Sequence, residues 1–294
     1  MRLRTRTSDH SARLRPSARR LAAAAVTALA VAGGGVGVAA ASGSWGGPPV
    51  PAPPSQPTRA DQIQNIDQVK TAIEAYYGDR ADPDTVDPVT GAKDLHTFDP
   101  DGAYAHEMAG IVRNATHYLG AAANGRGDRH GHRPAAKKAV LFDVDDTLLT
   151  TYNYEIYSNF VYDPTSNAAF VNAGVFPATP HMVALEKYAE SKGYTVFFLT
   201  GRPETQRTGT VANLTDVGYD VDNSNLYLKD YTVDTWLSSC APSCTTIQYK
   251  SLTRAHIQSL GYRIVANLGD QYSDLSGGYA QKTVKLPNPM YYLP

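Results

Sequence analysis

An apolar run that ends abruptly in carboxylates is the feature that most constrains the fold of this chain. Val140, Leu141 and Phe142 lead directly into a polar group that contains Asp143 and Asp145. β-Formers without a polar break are typical of a strand buried on both faces, as in a parallel sheet. Carboxylates after such a strand cost free energy unless a cation or substrate uses them, although Asp also favours an ordinary turn. Ligands of open α/β sheets bind beyond the carboxyl ends of the strands, so the run predicts a fold class and a site.

Strand and helix patterns alternate along the rest of the chain. Four further segments are rich in apolar β-formers and predict strands: 194–199, 226–228, 264–268 and 282–286. Between them, Thr179 is predicted to cap one helix, Pro203 to begin a second and Lys250 to begin a third. This alternation predicts a parallel sheet with helices on both faces.

The chain also divides into segments of different composition. Residues 60–135 contain two amphipathic helix patterns, the second of which Asp101 would cap, and then a polar loop. Residues 136–294 would form the α/β core, with an aromatic-rich insertion at about 150–180 after the first core strand. The aromatic rings of this insertion would either line the mouth of a ligand site or pack inside a small subdomain.

The N-terminal segment has the composition of an export signal. Seven arginines precede a weakly apolar stretch at 21–41, which ends in the small residues Ala39, Ala40 and Ala41. We expect a cleaved signal peptide over 1–41 and a secreted protein, with an uncleaved membrane anchor as the alternative. A Pro/Gly-rich linker is expected at 42–59.

Charge and cysteine content narrow the range of partners. Beyond residue 41 the chain holds 20 basic and 27 acidic residues, so no basic surface for a nucleic-acid polymer is expected. The chain's two cysteines, Cys240 and Cys244, predict a local disulfide in a secreted protein. A zinc site is the alternative for this pair, but it would need about four ligands.

Four polar motifs follow the predicted strands in order. Asp143 to Thr147 ends the first strand, Thr200-Gly201-Arg202 ends the second, Lys250 begins a helix, and a final motif runs from Asp270 to Asp274. Together these motifs resemble those of the haloacid dehalogenase (HAD) superfamily, over roughly residues 60–294. The residues within the motifs are most similar to those of its acid phosphatase branch, which includes class B enzymes and plant vegetative storage proteins. The resemblance implies a Rossmann-like core, a small cap after the first core strand and an N-terminal helical extension.

The resemblance also implies catalytic roles. Asp143 matches the nucleophile that forms an aspartyl-phosphate, and Asp145 matches the general acid and base. HAD dehalogenases lack the second carboxylate and ion-pumping ATPases carry threonine there, so Asp145 favours a phosphatase. Two carboxylates so close should raise one pKa, as a general acid requires. Arg202 would pair with a nearby acid such as Glu204 or contact the substrate.

Phosphate and metal contacts complete the implied site. The residues expected to hold the phosphoryl group are Thr147, Thr200, Gly201 and Lys250. Lys229 is the competitor for the role of Lys250. A Mg²⁺ ion would be bound by Asp143, the Asp145 backbone carbonyl and Asp270, with Asp274 supporting the metal or holding Lys250.

The function that these motifs imply is a secreted, Mg²⁺-dependent acid phosphatase that hydrolyses small organic phosphate esters. Two alternatives remain open: a nucleotide-selective phosphatase or phosphotransferase on the same scaffold, and a non-catalytic secreted binding or storage protein. The partner would be a small phosphate ester. After cleavage of the signal peptide, the protein would have no stable membrane anchor. The sequence leaves the oligomeric state open.

Overall fold

A parallel sheet of five strands organises the computed structural model, which describes residues 57–124 and 136–293. The strands are β1 Arg80–Val86, β2 Lys93–Thr97, β3 Lys137–Phe142, β4 Thr195–Pro203, β5 Leu226–Lys229, β6 Tyr262–Gly269 and β7 Lys282–Lys285. The helices are α1 Ile66–Tyr77, α2 Ala103–Ala123, α3 Tyr152–Tyr157, α4 Pro164–Ala173, α5 Met182–Ser191, α6 Arg207–Asp216, α7 Thr246–Ser259 and α8 Tyr272–Leu275. The central sheet has the order β5-β4-β3-β6-β7, which confirms the predicted α/β class.

Strand β3 lies at the centre of this sheet. Phe142 is in register with Phe198 of β4 and with Leu268 of β6. The backbone N–H of Asp143 donates to the Leu268 carbonyl at 3.0 Å, so pairing continues into the first acidic residue. The carboxyl ends of β3, β4 and β6 therefore meet at one edge, where the predicted motifs converge.

The two faces of β3 pack into different parts of the core. Val140 and Phe142 belong to a large buried cluster shared with helices such as α2 and α5. Ala139 and Leu141 belong to a second cluster with α7. Successive side chains of a strand point to opposite faces, so a sheet with helices on both sides buries all of them.

The N-terminal segment differs from the expected pair of helices. Helices α1 and α2 are present, but β1 and β2 form an antiparallel hairpin between them. The hairpin is polar and largely exposed, so it carries no apolar alternation that predicts a strand. Asp101 does not cap α2; its N-cap is Gly102, and Asp101 instead donates its N–H to the Asp99 carboxylate at 3.0 Å.

Two of the three other predicted helix starts were wrong. Helix α5 is preceded by His181 rather than by Thr179, whose N–H donates to the Leu148 carbonyl at 2.8 Å. The helix predicted to begin at Pro203 agrees with the structure, where Pro203 caps a 3₁₀ turn at Glu204–Gln206 that leads directly into α6. Helix α7 begins one turn before Lys250, because Thr245 and Gln248 form a capping box.

The disulfide prediction is confirmed, since Cys240 and Cys244 are bonded with an S–S distance of 2.01 Å. The predicted signal segment 1–41, most of the linker and all but the first residue of the polar loop predicted at 124–134 lie outside the described residues. Within the described ranges, no helix is both long and apolar enough to cross a membrane.

Candidate active site

A cavity of about 510 Å³ opens at the carboxyl ends of β3, β4 and β6. Six of the residues proposed from the sequence line it: Asp143, Asp145, Gly201, Lys250, Asp270 and Asp274. The other two, Thr147 and Thr200, are fully buried and do not line the cavity. Asp143 and Asp274, which are 131 positions apart in the chain, are brought together because parallel strands end at the same edge.

Asp143 is buried at the end of β3, with 6% of its surface exposed. Burial raises the pKa of its carboxyl well above the ordinary value, and the nearby Asp274 raises it further. The ammonium of Lys250 acts in the opposite direction, because Nζ donates a short hydrogen bond to Oδ1 of Asp143. The Asp143 carboxylate therefore accepts a hydrogen bond from Lys250, and further cations nearby would stabilise its charged form.

Lys250 is held in place by three oxygen atoms. Nζ contacts Asp143, donates to the Leu199 carbonyl at 2.7 Å and lies 3.1 Å from Oδ1 of Asp274. Burial alone would lower the pKa of this ammonium, but the carboxylates of Asp143 and Asp274 raise it overall. The buried lysine therefore stays charged and offsets two carboxylates.

Lys229, the alternative phosphate-binding lysine, lines the same cavity. Its Nζ lies 5.3 Å from the ring centroid of Tyr249. Burial lowers the pKa of Lys229, and repulsion from Lys250 lowers it further. Both candidates thus reach the cavity, and only Lys250 contacts the proposed nucleophile.

Asp145 is held by Arg202 rather than standing free. Nη2 of Arg202 lies 2.6 Å from Oδ1 of Asp145, and Nε lies 3.1 Å from Oδ2. The guanidinium is buried and is fixed on its other side by Thr210 Oγ1 at 2.9 Å from Nη1. Arg202 therefore pairs with a nearby acid, as predicted, but that acid is Asp145; Glu204, the example named from the sequence, binds Arg207 instead.

The third acid of the first motif, Asp146, organises the loop. It has a positive φ of 51°, and its Oδ2 accepts from the hydroxyls of Thr151 at 2.6 Å and Tyr291 at 2.7 Å. Burial raises the pKa of Asp146 to about 7, although these hydrogen bonds lower it. Its place in an acidic run was visible in the sequence, but no pattern there assigned it this contact with Tyr291.

The last motif brings two more acids to the site. Asp270 Oδ2 accepts from Gln271 Nε2 at 2.6 Å and from Asn288 Nδ2 at 2.7 Å, and Thr147 Oγ1 lies 3.4 Å from its Oδ1. Burial and the neighbouring Asp274 raise the pKa of Asp270 to about 8. Thr147 therefore touches an acid of the candidate metal group.

Asp143, Asp270 and Asp274 form a candidate metal group. Each offers one carboxylate oxygen, and these atoms all lie within 4.8 Å of one another. Hard divalent cations prefer such oxygen ligands, and burial of like charges is costly without one. Burial and the charge of Asp274 raise the pKa values of Asp143 and Asp270, and a divalent cation would offset both effects. The Asp145 carboxylate lies outside this group and faces Arg202.

The insertion after β3 contributes both to the cavity and to the core. Phe160 and Tyr162 line the cavity, whereas Phe170 and Phe176 are buried. The segment therefore fulfils both predicted alternatives: some of its rings line the ligand cavity and others pack in the interior. Glu155 also lines the cavity, and burial and the charge of Asp145 raise its pKa to about 7. Sequence reasoning did not single out this glutamate.

The C-terminal segment also contributes to the wall of the cavity. Tyr291, Tyr292 and Leu293 line the cavity. The Leu293 N–H donates to Gln271 Oε1 at 3.0 Å, which ties the segment to the last motif. The segment lacks a periodic pattern, so the sequence contained no signal for this role.

Comparison with known proteins agrees with this geometry. Residues 100–294 match the profile of the HAD superfamily, subfamily IIIB (Acid phosphatase). The chain is 38% identical over 157 residues to "Acid phosphatase 1" of Solanum lycopersicum, covering 52% of this chain and 58% of that protein. It is 31% identical over 160 residues to "Vegetative storage protein 1" of Arabidopsis thaliana, covering 52% and 55%. The chain thus spans less than two thirds of the length of these relatives.

Solved structures share the fold. The class C acid phosphatase from Bacillus anthracis superposes with a TM-score of 0.50 at 22% identity, covering 64% of this chain and 80% of that one. Its tungstate-bound structure superposes with a TM-score of 0.52 at 20% identity, covering 77% and 86%. The sequence motifs, the sheet that gathers them and the match over residues 100–294 lead to one conclusion: the chain belongs to the HAD superfamily, subfamily IIIB, the acid phosphatases.

Proposed function

We propose that this protein is a Mg²⁺-dependent phosphomonoesterase that hydrolyses small organic phosphate esters through an aspartyl-phosphate on Asp143. The observation that carries the proposal is the environment of Asp143. Its carboxylate is buried at the end of β3, contacts the ammonium of Lys250 and belongs to a group of three acids. Asp145 lies two residues further on in the same cavity, as a separate proton carrier.

In the first step, a carboxylate oxygen of Asp143 attacks the phosphorus atom. The bond from phosphorus to the ester oxygen breaks, and Asp145 transfers a proton to that departing oxygen. Lys250 and the backbone at Gly201 line the cavity beside Asp143, where they would contact phosphoryl oxygens. Thr200 is buried with its hydroxyl 3.5 Å from Oδ2 of Asp145, so in this state it contacts the general acid.

In the second step, water attacks the phosphorus of the aspartyl-phosphate. Asp145, now ionised, takes a proton from the water, and the bond from phosphorus to the Asp143 oxygen breaks. Inorganic phosphate leaves and both carboxyl groups return to their starting states. Arg202 orients Asp145 through both steps by its two contacts.

Asp143, Asp270 and Asp274 would hold the Mg²⁺ ion. When bound, the cation offsets the repulsion between an anionic nucleophile and an anionic ester. Asp274 also lies 3.1 Å from Lys250, so it positions this lysine as well. Residue 269 has to be a glycine for Asp274 to lie in this position, because a Cβ at residue 269 would lie 2.5 Å from Cβ of Asp274.

A nucleotide-selective phosphatase is a second candidate within the same chemistry. The observation that favours it is the presence of Phe160, Tyr162 and Tyr292 on the wall of the cavity. Aromatic rings stack on nucleobases with little regard to base identity. A lower KM for nucleoside monophosphates than for sugar phosphates would support this candidate.

The experiment is hydrolysis of an aryl phosphate by the purified chain with Mg²⁺ and with a chelator. Activity should disappear with the chelator and return with Mg²⁺. Asp143→Asn should lose at least a thousandfold in kcat, while Asp216→Asn, which removes an exposed carboxylate of α6, should match the parent.

Mass spectrometry of Asp145→Asn provides the second readout. With an aryl phosphate, whose leaving group needs little protonation, this variant should accumulate the aspartyl-phosphate because water attack lacks its base. A folded, Mg²⁺-supplied protein without activity on aryl, sugar and nucleotide phosphates would reject the enzyme and favour a binding or storage protein.

We also propose that the protein is exported. Two observations support this: the signal-like composition of 1–41 and the Cys240–Cys244 disulfide, which is typical of oxidising compartments. Expression in an export-competent host should yield a mature chain that begins near residue 42. Retention of the whole chain in the membrane fraction would favour the anchor instead.

A further inference from the structure

A second group of acidic side chains lies outside the active-site cavity. Glu186 and Glu190 are one turn apart on α5, and Asp220 follows α6. One carboxylate oxygen from each lies within 4.8 Å of the other two. None of the three lines the catalytic cavity, so the reaction proposed above leaves this group unexplained.

Glu186 is the unusual member of this group. The residue is 0% exposed, and neither of its carboxylate oxygens has a hydrogen-bond partner of normal geometry. Burial raises its pKa to about 7, the charges of Glu190 and Asp220 raise it further, and Lys187 and the Asp220 backbone only partly oppose this. Buried polar groups are nearly always paired, so a buried carboxylate that lacks a hydrogen bond of normal geometry and faces two other carboxylates calls for a bound cation.

We propose that Glu186, Glu190 and Asp220 bind a Ca²⁺ ion. The buried carboxylate supplies a fixed ligand, and the two exposed ones leave positions for water. Ca²⁺ accepts six to eight oxygen ligands in a flexible arrangement, whereas Mg²⁺ demands a nearly ideal octahedron. An irregular site with one inner and two outer carboxylates therefore suits Ca²⁺ better.

The position of this site gives it a structural role. It joins α5 to the segment after α6, and the neighbouring Tyr219 donates its hydroxyl to the Leu148 carbonyl at 2.7 Å. Leu148 belongs to the loop that follows Asp143 and Asp145. Bound Ca²⁺ would thus stabilise the elements that support this loop without taking part in the chemistry.

The test uses Tb³⁺, which replaces Ca²⁺ and luminesces when a nearby tyrosine absorbs light. Tyr219 is a suitable donor because it directly precedes Asp220 in the chain. Asp270→Asn weakens the catalytic group, so it is the background for all measurements. In this background, Ca²⁺ should displace the luminescent Tb³⁺, and Glu190→Gln should raise the Ca²⁺ dissociation constant at least tenfold.

Thermal unfolding distinguishes a Ca²⁺ site from a glutamate that is buried without binding an ion. Ca²⁺ should raise the Tm in the Asp270→Asn background, but not when Glu190→Gln and Asp220→Asn are added. Both added changes are at exposed side chains, so the protein should fold. Equal Ca²⁺ effects in the two proteins would overturn the proposal, and equal affinity for Mg²⁺ and Ca²⁺ would overturn the choice of ion.

Discussion

Arg202 and Asp145 form a two-point ion pair in which Nη2 lies 2.6 Å from Oδ1 and Nε lies 3.1 Å from Oδ2. The pair has little freedom, because Nη1 donates to Thr210 at 2.9 Å and the guanidinium lies 5.5 Å from the Phe176 ring centroid. A carboxylate that carries protons between ester and water must keep its orientation, and a bidentate guanidinium provides it. Arg202 is thus a positioning residue for the proposed general acid.

Arg202→Lys should lower kcat because lysine cannot hold Asp145 at two points. We expect a loss of about 10- to 100-fold for an alkyl phosphate, whose leaving oxygen needs a proton. The loss for a nitrophenyl phosphate should be several-fold smaller, because nitrophenolate departs without protonation. Steady-state kinetics with both esters would check this difference.

Arg207→Lys is the matched control for this substitution. Arg207 pairs with Glu204 and does not line the cavity. Its replacement should leave the ratio of the two rates unchanged. An equal loss on both esters in Arg202→Lys would show that Arg202 does not act through proton transfer.

The two lysines of the cavity should respond differently to removal of their charge. Lys250→Met leaves Asp143 and Asp274 buried without their cation, so we expect loss of activity and destabilisation by about 3–5 kcal/mol. Lys229→Met should leave the unfolding free energy nearly unchanged and raise KM several-fold, because this lysine has no carboxylate contact in the cavity. Urea unfolding and kinetics on both variants would assign the phosphate-binding lysine.

Glu155 should introduce a pH dependence near neutrality. Its pKa in the folded protein is about 7, raised from 4.5, mainly by burial and also by Asp145. The folded state therefore binds this proton more tightly, so the group stabilises below about pH 4.5 and that contribution is lost as the pH rises to about 7. Glu155→Gln should remove up to about 3 kcal/mol of this dependence.

The same glutamate should also affect activity. Above pH 7 its charge would repel an anionic ester in the cavity, so kcat/KM should fall less steeply with pH in Glu155→Gln than in the parent. Glu107→Gln, which changes an exposed glutamate of α2, is the control. Parallel pH profiles in all three proteins would exclude a role for Glu155.

The elements around the site were predictable where a strong apolar period ended in polar residues. Phe142 before Asp143 and Leu268 before Gly269 indicated buried strands, and a parallel sheet has to bring their ends together. The four motifs could therefore be placed at one edge before any distance was known. The disulfide followed from the presence of two cysteines four positions apart.

Contacts between distant polar side chains were not predictable in the same way. The pairing of Arg202 with Asp145 rather than with Glu204 depends on a separation of 57 residues, for which the sequence has no period. The contact of Tyr291 with Asp146 and the burial of Glu186 also depend on residues that are distant in the sequence, so no local pattern indicates them. Helix starts were missed because capping depends on which backbone groups the tertiary structure has already used.

The packing of the insertion on the core gives a last test, based on one glycine. Gly209 of α6 faces α4, and an added Cβ would lie 2.7 Å from the Val171 carbonyl oxygen and 2.8 Å from Cα of Asn172. These are backbone atoms, so either α4 or α6 would have to shift. We expect Gly209→Ala to destabilise the protein by about 1–3 kcal/mol and to raise KM, because α4 carries Asn167 to the cavity wall.

Gly110→Ala is the same substitution in a helix with free space. In α2 the nearest atom to the added Cβ is Nη2 of Arg113 at 3.8 Å, which is ordinary contact. Alanine lowers the entropy of the unfolded chain and favours the helix, so stability should rise by about 0.5–1 kcal/mol with unchanged kinetics. Opposite signs in urea unfolding would show that α4 and α6 are in close backbone contact in solution; a stabilising Gly209→Ala would contradict this packing.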